Sequence, residues 1–560
     1  MVNEITRFRI AQILLITGPI ATLAVNPWTN YDPISVVKMF TVVICAFSIL
    51  GILLSERKNL FVREDRLLLI SVGAFIALLF SAMFFSGAPF DQQWWGYFGR
   101  NTGVLTYLSF AILLVGAISV RNLKLYGRID FSLIAVSLPV SMYCLVQMSG
   151  NDPIGWSQLD TFATLGNINF LSGFLGLVCV SILGRVFAHE YRNIKGMALL
   201  ALLALDLAII WSTGSIQGIV IFAAGSWLVL FCRLRTLKFW KLLHLGWIVF
   251  AAASSYFGVL GLANRGPLAS SLYQPSNILR ADYMHAGWQM TTDHPIFGVG
   301  LDSYGDWYRQ ARGEITTLRG SADRNSNAAH SVFLDISSNG GFPLLIAYLA
   351  ILIIVATVAV RTYRALGKTY DPVLISLLAT WTAFNFQALI SINQIGVAVW
   401  GWILSGCLYG YSRQRLRMLQ GDSEKPLEKR KLKGKPLPVQ SSLLAFGCAF
   451  IGLVLGGIPQ QADSKYFTAS QTRDLEKIAS SSVAMGATAW HRNLALDFAI
   501  SQSNNGRAIQ IAKDAISDYP RSFFPWKAVY LLPESSPTDK AAALARLREL
   551  DPFNPEFRNP

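Results

Sequence analysis

The apolar run Leu243-His-Leu-Gly-Trp-Ile-Val-Phe-Ala-Ala-Ala-Ser-Ser-Tyr-Phe-Gly-Val-Leu-Gly-Leu262 passes directly into Ala263-Asn-Arg-Gly-Pro267. From there the chain stays polar to Ser331 before a second apolar run begins. A run of about 20 apolar residues matches the hydrocarbon thickness of a bilayer. A polar insert flanked by two such runs is a loop on one membrane face. Similar runs recur near 9–26, 35–54, 67–86, 102–120, 131–148, 168–187, 196–212, 216–232, 340–360, 373–391, 395–411 and 440–458. With 243–262 they predict about 13 spans, and so an all-α, polytopic helical bundle. Only 14% of the 560 residues are charged, far below the roughly 25% usual in soluble domains.

The net charge of +15 invites a nucleic-acid reading, which its distribution excludes. Basic residues gather in alternate loops: Arg57-Lys58, Arg121/Lys124/Arg128, Arg192/Lys195, Arg233/Arg235/Lys238/Lys241 and Arg361/Arg364/Lys368. The loops between them, such as 87–99 and 149–167, carry almost none. This is the positive-inside pattern of a plasma (inner) membrane protein. It places the N-terminus in the cytoplasm and the 263–331 loop outside. An odd number of spans then leaves the C-terminus outside too. The short charged start Met1–Arg9 leads into a segment without a small-residue cleavage site, so the first span is read as retained.

Residues 1–458 form the expected membrane domain, with a basic cytoplasmic linker at 413–438 before its last span, and an expected extracytoplasmic region follows at 459–560. Within 465–560, helical patterns end in Tyr519-Pro520 and Asp551-Pro552, a spacing of about 32 residues that is close to a tetratricopeptide repeat. Stacked repeats of that kind usually meet a protein or peptide on their concave face. A simple helical cap on the membrane domain is the alternative. All six cysteines lie in or beside apolar runs, and neither they nor the carboxylates Asp282, Asp293, Asp302, Asp306 and Asp323 show metal-ligand spacing. No cofactor is expected.

The chemistry-bearing residues crowd into the 263–331 loop. Arg280 offers a fixed fork of donors suited to phosphate oxygens. His294-Pro-Ile-Phe-Gly298-Val-Gly300 has the residues of a tight turn with close backbone approach. His330 stands at the base of the loop, where an imidazole can serve as a general base or simply make an interfacial hydrogen bond. Arg319 and Arg324 are further loop cations. Outer-loop aromatics, among them Trp94, Trp288, Trp307 and Tyr308, suit sugar stacking or an interfacial belt.

Taken together, Arg280 followed by Trp288, then His294-Pro-x-x-Gly-x-Gly300, His330 and Gly340, resemble the signature of the O-antigen ligase and polymerase superfamily. Two earlier segments are similar to it as well. They are Gly166-Asn-Ile-Asn169 entering a span, and Gly99-Arg100-Asn-Thr-Gly103. The resemblance covers about 85–411. It implies a metal-independent glycosyltransferase of the GT-C type, using a glycan on undecaprenyl diphosphate as donor and a lipid, glycan or protein acceptor. It implies Arg280 at the diphosphate and His330 at the acceptor hydroxyl as base or orienting group, with Arg100 as a second phosphate candidate and Gln217, His294, Arg319 and Arg324 near substrate. Two positions depart from the pattern. Relatives often carry arginine where this chain has Gln217, in Thr213-Gly-Ser-Ile-Gln217-Gly218, and an acidic residue where it has Asn339. A ligase, a polymerase and a protein O-oligosaccharyltransferase all remain open. A transporter or scaffold would instead be expected to place ionisable groups mid-span, where Asp206 is the clearest example.

Overall fold

The computed structural model describes residues 2–156, 160–273, 275–319, 321–421 and 437–558. Most of the basic linker, at 422–436, lies outside the described residues. The chain is 76% helical, with no strand among the described residues. Eleven helices there are long and apolar enough to cross a membrane.

The thirteen runs predicted from sequence all become helices. They are α1 (Val2–Leu23), α2 (Ser35–Leu60), α3 (Arg66–Phe85), then after the short α4 (Phe90–Trp95) α5 (Val104–Ser119), α6 (Leu123–Met148), α7 (Ile168–Val186), α8 (Ile194–Ser212), α9 (Ile216–Leu234) and α10 (Trp240–Leu262). The polar loop folds as α11 (Ala269–Leu272), α12 (Pro275–Asp293), α13 (Tyr304–Ala311) and α14 (Glu314–Arg319). Then come α15 (Val332–Ala365), α16 (Pro372–Ile390), α17 (Ile395–Leu419) and α18 (Val439–Thr472).

The middle of the bundle is α17 and α5. The apolar window of α17 is wholly buried, and nearly every residue of the 16-residue α5 is buried with it. Small residues let helices close on one another, as expected where lipid supplies no hydrophobic contrast. A Cβ at Gly51 of α2 would stand 2.2 Å from the Leu444 carbonyl oxygen of α18, and one at Gly401 would stand 2.1 Å from the Phe384 ring. Two buried charges inside the bundle are paired, Asp130 with Arg185 and Asp65 with Arg121 at 3.0 Å. Lys38 donates to the Ala21 and Thr22 carbonyls, and Asp206 accepts from the Ser141 hydroxyl, as their desolvation requires.

Helix α18 is 34 residues long, about 51 Å at the usual rise. That exceeds the roughly 30 Å hydrocarbon core, so the helix runs unbroken past residue 458 and its last turns bury Asp463, Tyr466 and Ala469. Six helices follow: α19 (Leu475–Ser482), α20 (Ala489–Ser501), α21 (Asn505–Asp518), α22 (Phe523–Leu531), α23 (Pro537–Leu550) and α24 (Pro555–Arg558). Each packs mainly on its neighbours in the chain. Alanines such as Ala495, Ala499, Ala508, Ala512 and Ala543 fill the seams.

This C-terminal unit sits on the polar loop and the adjoining turns. The Trp490 ring stacks on Phe98 at 3.8 Å with the planes 2° apart. Asp463 accepts from the Asn30 side chain at 3.0 Å and from the Asp32 N–H at 3.1 Å. Tyr519 donates to Asp91, and Arg521 lies 3.4 Å over the Trp307 ring.

Candidate functional site

Two glycine-rich segments build the floor of the site by packing backbone on backbone. Helix α15 breaks at Gly341, whose φ of 74° is left-handed, and Pro343 follows. Against this break lies the 294–300 loop. The Val299 N–H donates to the Ser338 carbonyl at 2.8 Å, the Gly300 N–H to Asn339 at 3.1 Å, and the Phe342 N–H to Pro295 at 2.9 Å. Gly298 has φ 64°, and a Cβ there would come within 2.4 Å of the Asn339 and Gly340 backbone. A Cβ at Gly341 would meet the Ile296 backbone at 2.5 Å. Both glycines are demanded by space and by dihedral angle.

Arg100 lies at a buried junction of three segments and is 4% exposed. Its guanidinium donates to Asp335 Oδ2 at 3.2 Å and to the Asn327 carbonyl at 2.5 Å, and its Nε is 3.7 Å from Asp302 Oδ1. Asp302 also accepts from the N–H groups of Tyr97 and Thr102, each at 2.9 Å, and from the Thr102 hydroxyl at 2.7 Å. The expectation that Arg100 offers its charge to a phosphate does not match this placement. Two buried carboxylates already take up that charge.

His330 and Arg280 come together at the rim. The His330 ring stacks on Tyr283 of α12, with centroids 5.0 Å apart and planes at 27°. Burial, then the nearby Arg280 and Arg100 charges, pull its pKa down to about 4. The imidazole is therefore neutral near pH 7, which leaves a ring nitrogen able to accept a hydrogen bond. Arg280 is half-buried on α12, and burial draws its guanidinium somewhat below the usual arginine range. Among the described residues no carboxylate pairs with it. A partly desolvated cation without a counter-charge is a ready anion site.

The other expected residues are placed unevenly. Arg324 is half-buried, and its charge bears on Tyr308, whose ring packs 5.6 Å from Tyr283. Arg319 is held by Asp282 at 3.3 Å. His294 leaves this cluster and packs edge-on against Trp307 at 4.5 Å. Burial, together with the Arg521 charge, lowers its pKa. Gln217 is buried inside the bundle, donating to the Ser391 hydroxyl at 3.2 Å. It makes no hydrogen bond to Arg280 or His330 among the described residues. Sequence reasoning passed over Asp335 and Tyr283, and noticed Asp302 only as a failed metal ligand. The one available signal was Asp335 in the run His330-Ser-Val-Phe-Leu-Asp335, since a carboxylate on the first turn of an apolar helix needs a partner.

No curated protein matches this chain. A family model described as O-antigen ligase matches residues 197–349, which span α8 to the first half of α15 and so contain Arg280, the 294–300 loop, His330 and the Gly341 break. By that match the chain carries an O-antigen ligase domain over residues 197–349, which supports the resemblance to the O-antigen ligase superfamily.

Proposed function

We propose that the chain transfers a glycan from undecaprenyl diphosphate to an acceptor hydroxyl on the outer face of the plasma membrane. The observation that carries this reading is the pairing of Arg280, a half-buried cation with no carboxylate partner among the described residues, with a His330 held neutral beside it. The family match supports the glycan-transferase class, and the alternation of basic loops supports the orientation.

In this mechanism the acceptor oxygen attacks the anomeric carbon as the bond from that carbon to the diphosphate oxygen breaks. Negative charge builds on the leaving diphosphate. Arg280 stabilises that charge from a preorganised, partly dry position. His330 accepts the hydroxyl proton through an imidazole nitrogen. A base with a pKa near 4 draws little charge from a ground-state alcohol, so His330 orients the hydroxyl first and takes its proton as the new C–O bond forms. Arg100 is not assigned to the donor.

The test has two parts. Arg280→Ala and His330→Ala are each expected to lower transfer by at least about 100-fold in purified protein that still folds. Deleting the gene should leave lipid-linked glycan in the cell. Long chains on the carrier mark a lost ligase, and single repeat units mark a lost polymerase. If both variants keep full transfer, or neither glycan accumulates, the reading fails.

A further inference from the structure

His330 has a backbone conformation it would not choose for itself. Its φ is +55°, in the left-handed region that side chains with a Cβ rarely occupy and that surrounding structure must enforce. We propose that Asp335 and Arg100 form the bracket that enforces it, and that both are positioning residues for the imidazole. What this positioning does for turnover rests on the transferase reading above; the bracket itself does not.

The contacts close around His330 from both sides along the chain. The N–H of Ala329, just before it, donates to Asp335 Oδ1 at 2.7 Å. The carbonyl of Ser331, just after it, accepts from the Asp335 N–H at 2.8 Å. One residue thus holds both flanks of the turn. Its second carboxylate oxygen is taken by Arg100, which also grips the Asn327 carbonyl further back. Arg100 is fixed in turn by Asp302, anchored by three donors of the 97–102 turn. From the other side Tyr283 covers the ring, and its carbonyl is tied by the Tyr304 hydroxyl at 2.7 Å.

Stability alone does not account for this arrangement. A buried ion pair adds little net stability over an apolar replacement of similar volume, and its best-attested use is to fix one geometry among several. Asp335, Asp302 and Arg100 are all at most 4% exposed, so they reach substrate only through what they hold. The groups whose charge acts on His330 are Arg280 from α12 and Arg100 from the turn before α5. Asp335 from α15 offsets the second of these.

The experiment reads His330 directly. Full-length protein in lipid nanodiscs is treated with diethylpyrocarbonate at neutral pH, and modification of each histidine is followed by peptide mass spectrometry. The exposed His285 on α12 serves as internal reference. In Asp335→Ala, which loses both contacts of the carboxylate, the His330 rate relative to His285 should rise about three- to tenfold, the shift a lost hydrogen bond gives a local opening. Asp335→Asn keeps an acceptor for the Ala329 N–H and should fall between. The triple variant Arg100→Gln/Asp302→Asn/Asp335→Asn, which leaves none of the three charges of this cluster stranded, should stay as reactive as Asp335→Asn. If it instead returns to the wild-type rate, the single variant acted through a stranded charge and the bracket is refuted. An unchanged rate in Asp335→Ala refutes it as well.

Turnover is measured alongside. A displaced imidazole should lower kcat by about 100-fold with KM for the lipid-linked donor within twofold. A raised His330 reactivity in a protein whose His330→Ala variant transfers normally would uphold the bracket and overturn the transferase role instead. Asp130→Asn, which breaks the distant buried pair with Arg185, should leave the His330 rate unchanged. An equal rise there would mean general loosening and would refute the bracket.

Discussion

Asp551, in the turn after α23, accepts from the Arg312 guanidinium on both carboxylate oxygens, at 3.0 and 2.7 Å. Arg309 reaches the same carboxylate at 3.2 Å and stacks over Phe523 at 4.1 Å. The C-terminal unit is thereby tied to the loop that carries the site, through a carboxylate 1% exposed and an arginine 1% exposed. Removing one partner of such a pair strands the other and costs about 3–5 kcal/mol. Asp551→Ala should therefore release the unit from the loop, seen as faster limited proteolysis after Thr472 and a lower Tm. Glu314→Gln should do neither. Its partner Arg558 is exposed, and exposed pairs contribute only about 0–1 kcal/mol.

The two glycine segments make a second, internally controlled prediction. Gly298→Ala meets backbone at 2.4 Å and must keep a φ of 64°. Gly87→Ala faces a similar φ of 78° with no atom within 4 Å. The dihedral strain common to both is about 1–2 kcal/mol. Only Gly298→Ala adds a clash with backbone that cannot move aside, so its loss of thermal stability should clearly exceed that of Gly87→Ala. Equal effects would mean that the floor of the site tolerates separation of the 294–300 loop from the α15 break.

The bundle was legible in the sequence because each span is a continuous local signal: every one of the thirteen apolar runs is a helix. The 294–300 glycines were legible as a turn, but that this turn packs against a break at Gly341 was not. Arg100 shows why. Its type and loop position suited a phosphate, yet its charge is taken by Asp302 and Asp335, and the latter is 235 residues away in the chain. No local pattern encodes such a partner. Arg280 was singled out in the sequence by its type and loop position, and the absence of a carboxylate partner among the described residues was not readable there. The end of the last span was also hidden. Composition changes near 458, but α18 continues to Thr472 because its polar turns are buried by the C-terminal unit.

Orientation can be tested by labelling. The six native cysteines are buried or half-buried, so a membrane-impermeant maleimide on intact cells should leave the parent protein nearly unlabelled. Asn325 in the loop and Arg192 between α7 and α8 are both exposed. The charge distribution predicts that Asn325→Cys is labelled from outside and that Arg192→Cys is labelled only after the cells are opened. The reverse result would place the site in the cytoplasm and remove the proposed donor face.

The pH dependence of transfer follows from His330. Its folded pKa is about 4, against an ordinary value near 6.5, so the folded site holds the neutral form. The stability linked to this group is fully present above pH 6.5 and is lost as pH falls through the window down to about 4. The activity that needs a neutral imidazole should follow the folded value, with an acid limb near pH 4 rather than 6.5. Arg280→Gln removes one of the two cations that depress His330. Whatever transfer that variant retains should then show an acid limb moved upward, toward 6.5. An acid limb near 6.5 in the wild type, unmoved by Arg280→Gln, would show that the two side chains are not coupled during turnover and that proton transfer lies elsewhere.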